Sequence, residues 1–289
     1  MRILMASDGS ECARRAARYG CQIAVAAEAE VTLLGVVERP PSEARRKASL
    51  ESLQQELADD LRCQAVLKLR HGNAAEQVVA ETHETPYHLV VIGSRGRRGW
   101  RELLMGSTTE RLVHTLTVPL LIFTGPERGI RRILICTSGL KPAENDAVVG
   151  GTLARLAGAE ATVLHVMSQV PLVPAAKIDD LERDAAELME SGTREGRHLR
   201  RMLDILLARG AKQPRAKIRR GLVLDEILAE AEDGDYDLIV IGAHYVPKDQ
   251  SWRELRQLLQ ENLTADIVRR TRRPVLVVHW LEKLAWDDL

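Results

Sequence analysis

The chain has 289 residues, enough for two domains of ordinary size, each with a core of its own. Apolar residues make up 45% and charged residues 28%, and no segment joins low hydrophobicity to a long run of one charge, which excludes wholesale disorder. The 41 basic and 41 acidic residues cancel, removing the net pull toward nucleic acid or an anionic membrane.

The opening stretch, Met1 to Ala6, meets Asp8 too soon to supply the apolar segment of a signal peptide, and no run approaches the ~18 apolar residues of a membrane span. Cys12, Cys21, Cys63 and Cys136 show neither Cys-x-x-Cys pairing nor zinc-finger spacing. They read as four structural thiols in a reducing cytoplasm, where the chain is expected to reside.

Taken in order, short apolar runs alternate with stretches of helical period, and the whole series occurs twice. Ile3-Leu4-Met5 is a first strand, Glu11 to Glu28 a helix, Val31 to Val37 a second strand and Ser42 to Leu61 a second helix. Gly72 to Glu81 precedes a strand at Tyr87 to Gly93, and Val118 to Phe123 is the last apolar run of the first copy. Gly125 to Gly129 has the turn residues and polarity of a linker, so the boundary falls near residue 127, with domains at 1–126 and 127–289. Ile133-Leu134-Ile135 and Ala161 to Met167 then repeat the first two strands 130 residues later, with Ala143 to Leu156 as the helix between them. Gly221 to Glu230 and Tyr236 to Gly242 repeat the next pair at an offset of 149, and Arg273 to Val278 repeats the last after a further gain of 6.

Continuous rather than alternating hydrophobicity indicates strands buried on both faces, hence parallel strands covered by helices. Each copy is therefore an α/β unit of five strands. The extra residues of the second copy are placed within about 173–209, as one long helix or a helical pair, with Leu181, Ala185, Leu188 and Met189 at helical spacing. Beyond His279 a tail with Trp280 and Trp286 extends past the repeat and is expected to dock on this chain or on a second one.

The segment with most chemical content is Gly93 to Ser107, which has the spacing Gly-x2-Gly-x9-Gly-Ser through Gly93, Gly96 and Gly106, and leads from a buried strand into a helix near Thr108. Glycines let the backbone approach phosphate oxygens closely, Ser107 adds a hydroxyl donor, and the helix start turns free N–H groups and a positive dipole end toward the same point. Asp8 lies just past the first strand. In a sheet of order 3-2-1-4-5, strands one and four are neighbours at the topological switch point, so a ribose at Asp8 and phosphates on the glycine loop would share one crevice.

Over nearly its whole length the chain resembles the universal stress protein family, as two tandem Rossmann-like domains of the adenine nucleotide alpha hydrolase-like type. Each is expected to be a five-stranded parallel sheet of order 3-2-1-4-5 with helices on both faces. The resemblance implies an ATP site lined by Asp8, Val36, Gly93, Gly96, Gly106, Ser107 and Thr108, with Val36 offering backbone contact to adenine. It implies Mg²⁺ on the phosphates rather than in a protein cage, pairing of the two copies through their last strands as a pseudo-dimer, and room for two chains to associate.

Other readings of the same residues compete with this one. Ser107-Thr-Thr-Glu110 is also a capping box, and Asp8 is also a candidate N-cap. In the second copy Asn262 matches Ser107, yet Tyr245, Glu261 and Ser138 stand where Gly96, Gly106 and Asp8 stood, so the capping residue survives and the cradle does not. Arg95, Arg97, Arg98 and Arg101 suit a solvated surface or phosphate contact, and Arg269, Arg270, Arg272 and Arg273 bracket a helix end. His83, His88, His165 and His279 have no carboxylate or thiol at metal-ligand spacing. With 4 Trp, 4 Tyr and 1 Phe, the chain lacks the interleaved aromatics of a nucleic-acid surface.

No Gly-x4-Gly-Lys-(Ser/Thr) loop is present, and Ser7 to Cys12 departs from the Ser-Gly-Gly-x-Asp-Ser loop of adenylating ATP pyrophosphatases at two positions. The expected role is nucleotide-dependent change of conformation or assembly in stress response or signalling, with slow ATP hydrolysis at most. A scaffold that binds no nucleotide is the alternative.

Overall fold

The structure is a computed structural model that describes residues 1–38, 43–94, 106–139, 143–167, 185–243, 263–279 and 285–289, the side chains of 287 and 288 excepted. In the first copy the elements are β1 (Arg2–Ala6), α1 (Glu11–Ala26), β2 (Glu30–Val37), α2 (Glu43–Leu61), β3 (Ala65–His71), α3 (Ala74–Glu84), β4 (Leu89–Gly93), α4 (Ser107–Thr115) and β5 (Leu120–Phe123). The second copy follows with β6 (Arg132–Thr137), α5 (Glu144–Ala157), β7 (Glu160–Met167), α6 (Ala185–Glu190), α7 (Arg194–Ala208), β8 (Arg215–Arg220), α8 (Val223–Asp233), β9 (Leu238–Gly242), a helix α9 over 263–270, β10 (Val275–Val278) and a 3-10 turn, Ala285–Asp288.

All ten strands form one sheet of order β3-β2-β1-β4-β5-β10-β9-β6-β7-β8. Within each copy neighbouring strands are parallel. The copies join where β5 and β10 run antiparallel, with Leu121 opposite Leu276. Every residue of these two strands is buried. Each last strand would otherwise leave an open apolar edge, and pairing them satisfies both backbones. The true outer edges, β3 and β8, carry Lys68, Arg70, Lys217, Arg219 and Arg220, charges of the kind that discourage further strand addition.

Helices cover the sheet on both sides. One core layer joins α1, α2, α5 and α7 through Tyr19, Leu53, Val149 and Leu199; the other joins α3, α4, α8 and α9 through Val78, Leu112, Ile227 and Ile267. Each fully buried Leu or Ile side chain contributes roughly 1.5–3 kcal/mol relative to exposure. The joint between copies is tight: Thr124 Oγ1 donates to the Arg273 carbonyl over 2.6 Å. A Cβ on Gly125 (φ +77°) would stand 1.7 Å from the Arg272 oxygen, so only glycine fits there.

Two expectations need correction. Cys21 and Cys63 are not separate thiols: they form a disulfide, Cα–Cα 5.9 Å, that ties α1 to the turn after α2, while Cys12 and Cys136 remain thiols. Spacing in sequence gave no hint because the fold brings together residues 42 apart. The extra residues of the second copy also end before α7 instead of running through 173–209. Helix α7 lies between β7 and β8 and buries Leu199, Met202 and Leu206 as α2 buries Leu50, Leu53 and Leu57, so α7 is the repeat of α2. The insertion precedes it and includes α6, whose Leu188 is buried; Leu181 and residues 173–184 lie outside the described residues.

Among the described residues no helix is long and apolar enough to cross a membrane. The arginines around the last turn of α9 are held by carboxylates of neighbouring elements: Arg269 with Glu110 of the first copy, Arg270 with Asp225, and Arg273 with Glu232 and Asp235.

Candidate functional site

The candidate site of the first copy lies at the carboxyl ends of β1, β2 and β4. Ala6 lies between Leu34 and Ile92 in the sheet, and Ser7 N donates to the Leu34 carbonyl over 2.9 Å, so Asp8, Val36 and Gly93 leave adjacent strands at one edge. Asp8 is exposed, and its Oδ1 accepts from Ser10 N at 2.9 Å. The N-cap of α1 is Ser10, whose hydroxyl accepts from Ala13 N, so Asp8 does not serve as that cap. Val36 is buried among Leu4, Leu34, Val78 and Ile92.

Gly93 has a structural reason of its own. A Cβ there would stand 2.8 Å from both the carbonyl carbon and oxygen of Cys12, so the first turn of α1 packs directly on the end of β4. Cys12 Sγ also donates to the Ser94 carbonyl. The second copy keeps this glycine as Gly242, where a Cβ would meet Asp146 Oδ2 at 2.9 Å.

Gly106, rather than Ser107, is the N-cap of α4, and, among the described residues, no side-chain cap hydrogen bond is made there. The capping box is therefore not formed, and Ser107 and Thr108 stand exposed in the first turn. Glu110 accepts an ion pair from Arg269 instead of reaching back to the helix start. As a glycine, the cap of this nine-residue helix offers no side-chain acceptor to its first N–H groups. Gly96 and the arginines at 95, 97, 98 and 101 lie outside the described residues.

Helix α2 contributes residues that sequence reasoning did not single out. A Cβ on Gly9 would fall 2.5 Å from Ser49 Oγ, and one on Gly35 2.4 Å from Leu50 Cδ1 and 3.3 Å from Arg46 Cγ. The signal was available: Arg46 heads the stripe Leu50, Leu53, Leu57 at helical spacing, and a charged residue on an apolar stripe calls for a reason.

The corresponding edge of the second copy carries different side chains. His165 takes the place of Gly35 and His198 that of Ser49, by the offsets of 130 and 149. His198 Nε2 lies 2.7 Å from Thr137 Oγ1, His165 Nδ1 lies 3.3 Å from the Thr137 carbonyl, and a Cβ on Gly139 would approach His165 Cε1 to 3.1 Å. Burial, with His165 nearby, holds the His198 pKa below the ordinary histidine value. Behind them Asp146 is buried, and desolvation raises its pKa well above the usual carboxylate range.

The sequence pattern of the Universal stress protein family matches residues 1–124 and 129–279. The chain belongs to the universal stress protein family. A universal stress protein of Methanocaldococcus jannaschii is 25% identical over 142 residues, 44% of this chain and 84% of that protein, and one of Bacillus subtilis is 27% identical over 143 residues, 42% and 97%. Among solved structures, a universal stress protein of Archaeoglobus fulgidus superposes with a TM-score of 0.66 at 19% identity, covering 96% of this chain and 98% of that one. A Pseudomonas aeruginosa structure gives 0.67 at 17% identity, covering 96% and 93%. These two likenesses span both copies and establish the shared tandem α/β fold. Within this universal stress protein, the two clefts differ in the side chains that fill them rather than in the strands that frame them.

Proposed function

We propose that this universal stress protein binds one ATP per chain, in its first domain (residues 1–126), with Mg²⁺ carried on the phosphates. Occupancy then shifts a conformation or an assembly in stress response or signalling rather than feeding a reaction. The observation that carries the reading is the contrast between the two clefts. At the edge of β1, β2 and β4 stand Asp8, Gly9 and Gly35, whereas the repeat places His165 at the position of Gly35, with His165 and His198 both bonded to Thr137. In this reading Asp8 accepts from ribose hydroxyls, the backbone at Val36 meets adenine, and Gly106, Ser107 and Thr108 at the start of α4 meet phosphate oxygens. Gly96 belongs to the same set by its position in the motif. Mg²⁺ favours phosphate and water oxygens, so it requires no carboxylate cage.

Mass spectrometry of the small molecules released from purified protein, with calorimetry of ATP and Mg²⁺ added to the stripped protein, tests this. One ATP per chain is the expected result. A stoichiometry of two, or an empty site after soaking in ATP, sinks the reading and favours a scaffold that binds no nucleotide.

A further inference from the structure

Arg46 lies on the inward side of α2 in line with the buried Leu50, Leu53 and Leu57. Its Nη1 is 3.7 Å from the position of a Cβ on Gly9, and its Cγ is 3.3 Å from that on Gly35, so the side chain runs between the ends of β1 and β2, next to Asp8. Its Nε is buried without a hydrogen-bond partner. The other arginines packed on this face are paired: Arg14 and Arg18 with Glu56, and Arg18 also with Asp60 and Glu127. A desolvated donor with no acceptor destabilises the unliganded protein and calls for an explanation, and an oxygen of a bound ligand supplies one.

The internal repeat provides a second, independent observation. By the same offset that matches Leu50 to Leu199, Arg46 corresponds to Glu195. The second copy has therefore reversed this charge along with replacing Asp8 by Ser138, Gly35 by His165, Gly96 by Tyr245 and Gly106 by Glu261. A residue serving only the packing of α2 would have no reason to change in company with the cleft.

We propose that Arg46 is the residue by which the first domain selects a phosphorylated ligand, its guanidinium donating to a phosphate oxygen of the nucleotide whose ribose Asp8 meets. The inference rests on the nucleotide reading given above. A planar guanidinium matches phosphate with directed, charge-assisted hydrogen bonds, which a neutral nucleoside does not offer in return.

The test is calorimetry of ATP, AMP and adenosine with the full-length wild type, Arg46→Met and Arg46→Lys, together with thermal melts of all three without ligand. Methionine keeps a flexible apolar stem against Gly35 while removing the donors. Arg46→Met is expected to weaken ATP and AMP by roughly tenfold to a hundredfold, the range for losing a hydrogen bond to a charged group, to leave adenosine unchanged, and to melt at or above the wild-type temperature. Arg46→Lys recovers part of the affinity. Undiminished ATP affinity in the Met variant, an equal loss for adenosine, or a lowered melting temperature without ligand overturns the assignment. Wild type that binds none of the three ligands overturns the nucleotide reading and this inference together, and the wild-type arm alone reports that outcome.

Discussion

Trp286 Nε1 donates to the carbonyl of His88 over 2.7 Å, from the tail of the second copy to the residue that precedes β4 in the first. The reciprocal contact is made by Tyr19, whose hydroxyl donates over 3.3 Å to the carbonyl of Asp237, the residue that precedes β9. His88 and Asp237 are themselves repeats: Nδ1 of the one accepts from Arg2 N, and Oδ2 of the other from Arg132 N. Val149 occupies the position of Tyr19 in the second copy, and there the tail supplies the aromatic donor. Trp286 is fully buried, and its own carbonyl is held by Arg209 Nη1 at 2.9 Å. The tail thus fastens the domains at the edge of the sheet opposite the cleft.

Trp286→Ala should therefore destabilise the protein by about 3–5 kcal/mol, the usual cost of truncating a buried aromatic. Trp286→Phe should cost less, because it keeps most of the packing. Urea denaturation followed by circular dichroism measures both, and a midpoint for the Ala variant equal to wild type would show that the tail does not fasten the domains.

The Cys21–Cys63 disulfide closes a loop across a separation of 42 residues. On the chain-entropy model a loop of this length contributes about 4 kcal/mol. Reduction with dithiothreitol, or a Cys21→Ala and Cys63→Ala double variant, should lower the urea midpoint accordingly. Identical midpoints with and without reductant, on protein whose thiols are titrated, would show that the link is not closed in solution.

Buried carboxylates should act in opposite directions with pH. Burial alone pushes Glu81 and Glu230 upward, but hydrogen bonds from Lys68, Tyr87 and Arg70 outweigh it at Glu81, and those from Lys217, Arg219 and Tyr236 at Glu230, leaving both below the ordinary glutamate value. Their stabilisation is present above the unfolded pKa of about 4.3 and is lost as pH falls through the lower folded values. Asp146 is raised by desolvation, so its contribution is full below about pH 3.9 and declines as pH rises from the unfolded toward the folded pKa. At neutral pH Asp146→Asn should then raise the melting temperature, whereas Glu230→Gln should lower it. Melts at pH 7 and pH 4 decide; a loss of stability in Asp146→Asn at pH 7 would mean that its carboxylate has a cationic partner.

Gly106→Val should abolish ATP binding, since a branched side chain would take the space where phosphates meet the start of α4. The backbone at Gly106, φ −67° and ψ 148°, is open to any residue, so the variant should fold normally. Ser107→Ala should weaken binding by roughly 1.5–3 kcal/mol, because the backbone donors remain. Calorimetry on both variants checks the order of effects, and full affinity in Gly106→Val would move the site elsewhere.

The repeat, the alternation of buried strands with helices and the presence of two units were legible because hydrophobic period and spacing are local properties of the chain. Asp8 and the Gly-x2-Gly-x9-Gly-Ser segment were legible for the same reason, as each lies directly after an apolar run. Tertiary structure decided what depends on residues far apart in sequence. It paired Cys21 with Cys63, brought Trp286 to His88, assigned Gly93 to the packing of α1 on β4, and made Gly106 rather than Ser107 the cap of α4. It also placed Arg46 over Gly9 and Gly35 while His165 and His198 fill the matching space in the second copy. What lines a cleft is settled by side chains from elements far apart in sequence, and the local period of a strand or helix carries no record of that.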